Sequence, residues 1–313
     1  MQVFLSTLSQ MGTLFLYIAI GYIIAKFGVV NKEAAGILSK LENNIFIPAL
    51  VFGTFMNEFT VETLSYSWKI LLFSFGALAL VIPLAYLFSY MGSRDGYIRN
   101  IYVYGLCFAN FGFMGNAVVK TLFPEYFASY LIFTLPLWTM IYVWGVPALL
   151  MADGEKKSLG SSLKKLINPM FVALILGAII GLSGLKLPSF MGEVVTVCGN
   201  CMSPIAMILT GITFSSISFK KVLTNISLYY ISFVRLVVMP LIFIGLLALI
   251  KLFVDIPRMY EICFICTVAM PLGLNTIVIP AAYGKDTTAA AGMALISHTL
   301  AVISIPILFL LIA

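Results

Sequence analysis

The sequence predicts an all-α polytopic membrane protein: ten transmembrane helices in two five-helix repeats of opposite orientation, with the fourth and ninth helices broken. Three observations carry that expectation. Of the 313 residues, 62% are hydrophobic and only 10% charged, with mean hydropathy +1.09, which is far more apolar side chain than a soluble core needs. Lys and Arg are spread unevenly over the connections, as orientation in a membrane demands. Two stretches five spans apart, Leu106–Val118 and Val268–Pro280, carry the same helix-breaking chemistry.

A bilayer core takes about 20 mostly apolar residues per helix. By that measure spans fall at about 10–29, 36–57, 69–91, 99–122, 127–151, 166–182, 190–217, 226–250, 260–283 and 289–312. The first is read as a span and not a cleaved signal, because no basic n-region or A-x-A-like site accompanies it. The second has only a short apolar run between Glu42 and Glu58, so its first turns must be amphipathic. The third ends at the turn Gly92-Ser-Arg-Asp-Gly96. The fifth closes a first repeat, residues 1–152, and a cytoplasmic loop at 153–165 leads to the second repeat, 166–313. The sixth span is short, and Tyr283-Gly-Lys-Asp286 is the turn between the ninth and tenth.

The two breaks are the most informative feature. In the fourth span Gly112 and Gly115 weaken the helix while Asn110 and Asn116 bring amides to mid-membrane depth; in the ninth Pro271, Gly273, Asn275 and Pro280 do the same. Freed backbone groups in hydrocarbon must be re-satisfied, so such breaks are tolerated only inside protein or beside a watery cavity. Paired breaks in corresponding positions point to a transporter's binding site. A second repeat supports the symmetry: Asn44-Ile-Phe-Ile-Pro48 in span two returns as Asn200-Cys-Met-Ser-Pro204 in span seven. Each places an amide four residues before a proline, a pattern for a functional kink at a hinge or interface.

Charge supports the count. With the N-terminus outside, twelve Lys and Arg fall on the cytoplasmic side and five outside (Lys69, Lys120, Lys186, Lys251, Arg258), whereas acidic residues divide six and six. The expectation is a multi-pass plasma-membrane protein with both termini outside. The pI near 9.0 then reflects cytoplasmic loops and not nucleic-acid binding. Cys198-x-x-Cys201 and Cys263-x-x-Cys266 lie within spans and too far apart for a zinc ribbon, so no metal or other cofactor is expected.

Asn110-Phe-Gly-Phe-Met-Gly115, Met202-Ser-Pro-Ile-Ala-Met-Ile-Leu-Thr-Gly211, Arg235-Leu-Val-Val-Met-Pro240 and Met270-Pro-Leu-Gly-Leu-Asn275, with the later Ala281-Ala-Tyr-Gly284, resemble the auxin efflux carrier family. The resemblance covers essentially the whole chain and is nearest to the bacterial malate or malonate permease-like members. It implies inverted five-helix repeats in which spans 1, 2, 6 and 7 form a scaffold, also the expected face for a homodimer. Spans 3–5 and 8–10 would form a moving core where helices four and nine cross. One departure stands out: the family usually has a proline shortly after the glycines of the first break, and here Asn116-Ala117 occupies that place.

Two titratable side chains lie about ten residues into their spans, Arg235 in the eighth and His298 in the tenth. A buried Arg seeks an anion, either a substrate carboxylate or a structural partner; backbone carbonyls are the alternative. Glu42, Glu58, Glu261 and Asp286 all fall at span ends, which favours a bound anion for Arg235 and uniport over ion coupling. His298 is a candidate proton relay, or a neutral His bonded to a flanking Ser297 or Thr299. The expected function is alternating-access transport of a small organic anion. It would bind at the half-helix N-termini with Asn110, Gly112, Gly115, Asn116, Pro271, Gly273, Asn275 and Arg235, against the apolar wall of Phe111, Phe113 and Met114. Lys120 would guide anions or snorkel to the interface. An anion channel and a ligand-binding membrane sensor are the competing non-enzyme readings. Gly181-Leu-Ser-Gly184 also spells the G-x-S-G of an intramembrane serine protease, with His298 as base, but Ser183 ends a span and no pairing is visible from spacing.

Overall fold

The computed structural model describes residues 2–31, 33–151, 168–282 and 287–310. The expected loop 153–165 and the turn Tyr283–Asp286 lie outside these. Six helices among the described residues are long and apolar enough to cross a bilayer: Phe4–Lys26, Val61–Gly92, Pro124–Leu150, Ser189–Phe214, Ile226–Ile250 and Thr288–Leu310. The molecule is an all-α multi-pass membrane protein.

In chain order the α-helices are α1 (Gln2–Lys26), α2 (Glu33–Leu41), α3 (Ile47–Glu58), α4 (Val61–Gly92), α5 (Gly96–Cys107), α6 (Asn116–Leu122) and α7 (Phe127–Met140). They continue as α8 (Pro169–Ser183), α9 (Ser189–Phe214), α10 (Phe219–Leu223), α11 (Ile226–Phe233), α12 (Met239–Ile250), α13 (Arg258–Val268), α14 (Asn275–Ala282) and α15 (Thr288–Leu310). Polar side chains set several starts. Thr60 and Thr63 form a reciprocal capping box on α4, Asp95 accepts from Ile98 N–H at 2.8 Å on α5, and Asn168 accepts from Met170 and Phe171 ahead of Pro169 on α8. Gly184, at φ +69°, closes α8 in the left-handed region where a side chain would be strained.

Four stretches widen into π-turns: Glu42–Phe46 between α2 and α3, Phe111–Gly115 before α6, Ile141–Leu150 after α7, and Val234–Val238 between α11 and α12. Three of them come with a proline, Pro48, Pro147 and Pro240, whose ring cannot donate to the carbonyl four residues earlier. The two Asn-x-x-x-Pro copies do not behave alike. Pro48 follows a π-turn, and the Asn44 amide donates to Lys40 O at 2.8 Å, whereas Pro204 sits inside the continuous α9 with Asn200 turned toward Lys120.

Burial separates two kinds of helix. Large apolar side chains on α1, α4, α8 and α12 are exposed, Leu16, Leu72, Ile179 and Leu249 among them, as lipid-facing surfaces must be. The last seven residues of α5 and the last eight of α13 are instead buried. The interrupted helices therefore run through the interior, where non-helical backbone can be satisfied. α1 packs on α9 and α15, α3 on α8 and α9, and α4 on α5 and α7.

Candidate functional site

Two interruptions meet at the centre. α5 ends at Cys107, and Phe108 turns extended (φ −118°, ψ 92°); α13 ends at Val268. The two buried non-helical lengths of backbone pair antiparallel through Ala109 and Leu272, with Asn110 N–H donating to Pro271 O at 2.7 Å. A Cβ on Gly273 would lie 2.6 Å from Phe108 O and 3.1 Å from Ala109 O, so the chains approach this closely only because residue 273 has no side chain. Gly115 admits the Tyr130 hydroxyl, which donates to Phe111 O at 3.0 Å, and Gly112 lies under the Trp138 ring. Ser297 Oγ accepts from Leu272 N–H at 3.3 Å. Freed backbone groups thus find partners within the protein.

The four half-helix ends sort by polarity. The C-terminal ends of α5 and α13 converge on Arg235, which is 3% exposed. Its Nε donates to Met270 O at 2.9 Å, Nη1 to Leu106 O at 2.8 Å, and Nη2 to Thr267 O and Val268 O at 3.2 and 3.0 Å. Four of the five guanidinium N–H donors are therefore held by carbonyls that carry the negative ends of two helix dipoles. The carbonyl alternative is the one the geometry realises for Arg235, and its charge is not turned toward a ligand.

The N-terminal ends line the opposite side of the crossing. The Phe111–Gly115 turn and the start of α14 border a narrow cleft of about 10 Å³, closed by Tyr104, Asn110, Trp138 and Asn275. Helix N-termini supply unbonded N–H groups and partial positive charge. Asn110 Oδ1 is buried here without a hydrogen-bond partner, and the Tyr104 hydroxyl lies against the Asn275 side chain. Phe111, stacked edge-on against Trp138 at 5.1 Å, and Phe113 give the apolar wall.

Of the expected site residues, the structure brings together Asn110, Gly112, Gly273 and Asn275 around this cleft, with Gly115 and Pro271 supporting it from behind. Asn116 is elsewhere. With Lys120, Asn200 and Ser203 it lines a separate pocket of about 450 Å³, where Lys120 Nζ donates to Asn200 Oδ1 at 2.8 Å and Ser203 Oγ to Phe113 O at 3.0 Å. His298 does not bond Ser297 or Thr299: its Nδ1 donates to Ala294 O at 2.8 Å and its Nε2 accepts from Asn110 Nδ2 at 2.9 Å. Ser183 is exposed and donates to Ile180 O, so it is no partner of His298.

Glu42 corrects the expectation that acidic residues sit only at span ends. It is 1% exposed in the first π-turn, with no side-chain partner for its carboxylate and the backbone of Ala206 beside it. It opens the π-turn Glu42–Phe46 that precedes Pro48. It borders a cleft with Phe113 and Asn275, next to a wide vestibule of about 1870 Å³ between Glu33–Lys40, Ile212–Ser218 and Thr287–Ala291.

The family model described as membrane transport protein matches residues 6–309. A comparison with curated proteins finds no match.

Proposed function

The chain belongs to the membrane transport protein family, and from that premise we propose that it is a secondary carrier of a small organic anion working by alternating access. The observation that carries this reading is the sorting of helix ends at the crossing. Arg235 neutralises the two C-terminal ends, while the two N-terminal ends are left facing one cleft with the Tyr104 hydroxyl. A carboxylate is the ligand such an end pair attracts. The cleft has a cavity volume of about 10 Å³, room for about one water, so a carboxylate enters only as the crossing opens.

In this reading the interrupted paths Glu33–Glu58, Gly96–Leu122 and Arg258–Ala282, together with the short α8, are spans as well, making ten in two inverted five-helix repeats. α1, the α2–α3 helix, α8 and α9 are the scaffold, and the rest is the moving core. The plasma membrane holds the carrier with both termini outside, so the wide vestibule opens to the cytoplasm and the pocket around Lys120 to the exterior. A small cleft between two larger openings supports a carrier over an open anion channel. Transport, as against ligand sensing, rests on the family.

The test is a thermal-shift series on the purified protein with small mono- and dicarboxylates and their neutral amides. A ligand at 100 times its Kd adds about 2.7 kcal/mol to stability, well within detection. The expected result is stabilisation by at least one carboxylate, counterflow of that compound in proteoliposomes, and no response to its amide. Stabilisation by the amide alone would end the anion reading.

A further inference from the structure

We propose that Glu42 is a cation-coupling site: its carboxylate takes up one monovalent cation, a proton or a sodium ion, at the seam between the α2–α3 helix and the crossing. Both carboxylate oxygens are buried with no side-chain partner and only the backbone of Ala206 beside them, a state an anion does not hold unaided, because the desolvation cost is several kcal/mol or more. Among the described residues of the elements packed around Glu42, no side chain supplies the missing charge. Of the elements packed on this turn, α8 has no ionisable residue, α9 carries only Glu193, Cys198 and Cys201, and α3 carries only the exposed Glu58. On α2, Glu33 and Lys40 are exposed. In the proposal the positive charge comes from solution.

The surroundings are those of a cation site. Ser39, Asn43 and Asn275 border the same narrow cleft of about 10 Å³, giving hydroxyl and amide oxygens beside the carboxylate, the ligands a hard cation takes. Asn43 Nδ2 donates to Ser39 O at 2.8 Å, which leaves the Asn43 carbonyl oxygen for an ion. An access route is present too: the cleft shares Ser39 and Leu209 with the vestibule, and Phe113, Leu274 and Asn275 with the crossing. A cation entering from the vestibule would therefore bridge Glu42 to Asn275, the first residue of the moving half-helix α14. If the carrier reading above holds, that cation also offsets the repulsion between Glu42 and an anion at the crossing, so each ligand tightens the other and transport is coupled, not uniport.

The site is tested on the purified full-length protein without any organic anion, which keeps its failure distinct from failure of the substrate reading. Thermal unfolding in sodium chloride is compared with choline chloride at equal ionic strength. If sodium is the ion, the midpoint of the parent rises and saturates with sodium while that of Glu42→Gln does not move. If a proton is the ion, infrared difference spectra of the parent at neutral pH show a carboxylic-acid carbonyl band that is absent from Glu42→Gln and retained in the exposed-site control Glu193→Gln. Either result supports the proposal. A parent with no sodium-specific midpoint shift and no acid band lost in Glu42→Gln overturns it. Should Glu42→Gln not fold, Glu42→Asp replaces it: its shorter arm is expected to weaken the sodium response or shift the band, and unchanged behaviour counts against the site.

Discussion

Asn110 Nδ2 donates to His298 Nε2 at 2.9 Å, and this bond fixes the state of the ring. Nδ1 faces a carbonyl, Ala294 O at 2.8 Å, which only accepts, so Nδ1 carries the proton and Nε2 is the bare nitrogen. The imidazole is thus neutral and occupied on both sides, and it holds the Asn110 amide with Oδ1 unpartnered. A proton relay through His298 would first have to break this pair.

That relationship gives a stability prediction. His298→Phe and Asn110→Leu each strand a buried polar group and should each cost about 1–3 kcal/mol. The double variant strands neither, so it should cost about 1 kcal/mol less than the two singles together, measured by thermal or urea unfolding of the detergent-solubilised protein. Additive losses would mean the two side chains do not interact.

Arg235→Gln separates a structural arginine from an anion ligand. Four carbonyls depend on the guanidinium, so the variant should lose about 3 kcal/mol or more of stability. Arg235→Lys should rescue only part, since an ammonium has three donors and no planar fork. An unchanged melting temperature with lost carboxylate binding would instead make Arg235 a direct ligand.

Gly273→Ala tests the close crossing. The added methyl meets backbone oxygens of Phe108 and Ala109, which cannot swing aside as a side chain can. Overpacking of this kind costs about 1–3 kcal/mol. Gly12→Ala, where nothing lies within 4 Å, is the control and should be near neutral or slightly stabilising. Equal melting temperatures for the two would dismiss the tight crossing.

The breaks were legible in the sequence because Gly, Pro and Asn in an apolar run announce local chemistry: the helices stop between Cys107 and Phe111, just ahead of Gly112, and between Val268 and Asn275, across Pro271 and Gly273. Arg235 and Glu42 were not, for a shared reason. Whether a buried charge is paired depends on which backbone groups distant helices bring to it, and Leu106 and Met270 are 129 and 35 residues from Arg235. Asn116 was misplaced by one helical turn: Asn110 faces one cleft, and the π-turn between them sends Asn116 to another. Equivalent sequence positions also did not guarantee equivalent geometry, as Pro48 and Pro204 show.

Orientation is testable on described residues. In a background without the native cysteines, Ser216→Cys in the vestibule should react with a membrane-impermeant maleimide only in inverted vesicles, and Thr121→Cys only in intact cells. The reverse pattern would invert the topology.

The last prediction concerns how the exterior side is held shut. On that side two hydrogen bonds tie α9 to the crossing helix, Lys120 Nζ to Asn200 Oδ1 and Ser203 Oγ to Phe113 O. In the proposed alternating-access cycle both break, so each weights the balance between the two states by its own free energy. Lys120→Met removes the first while keeping an apolar chain of similar length in the pocket. Losing a bond worth about 1 kcal/mol should shift that balance about fivefold toward the outward-open state. The readout is the rate at which Ala117→Cys, in the same pocket, is labelled from outside, with and without Lys120→Met. A rise of about fivefold is expected, with little change at Ser216→Cys beyond a matching fall. If the Ala117→Cys rate does not move, Lys120 is a surface cation with no part in closure, and Ser203 with the apolar packing of Phe113 carries the seal.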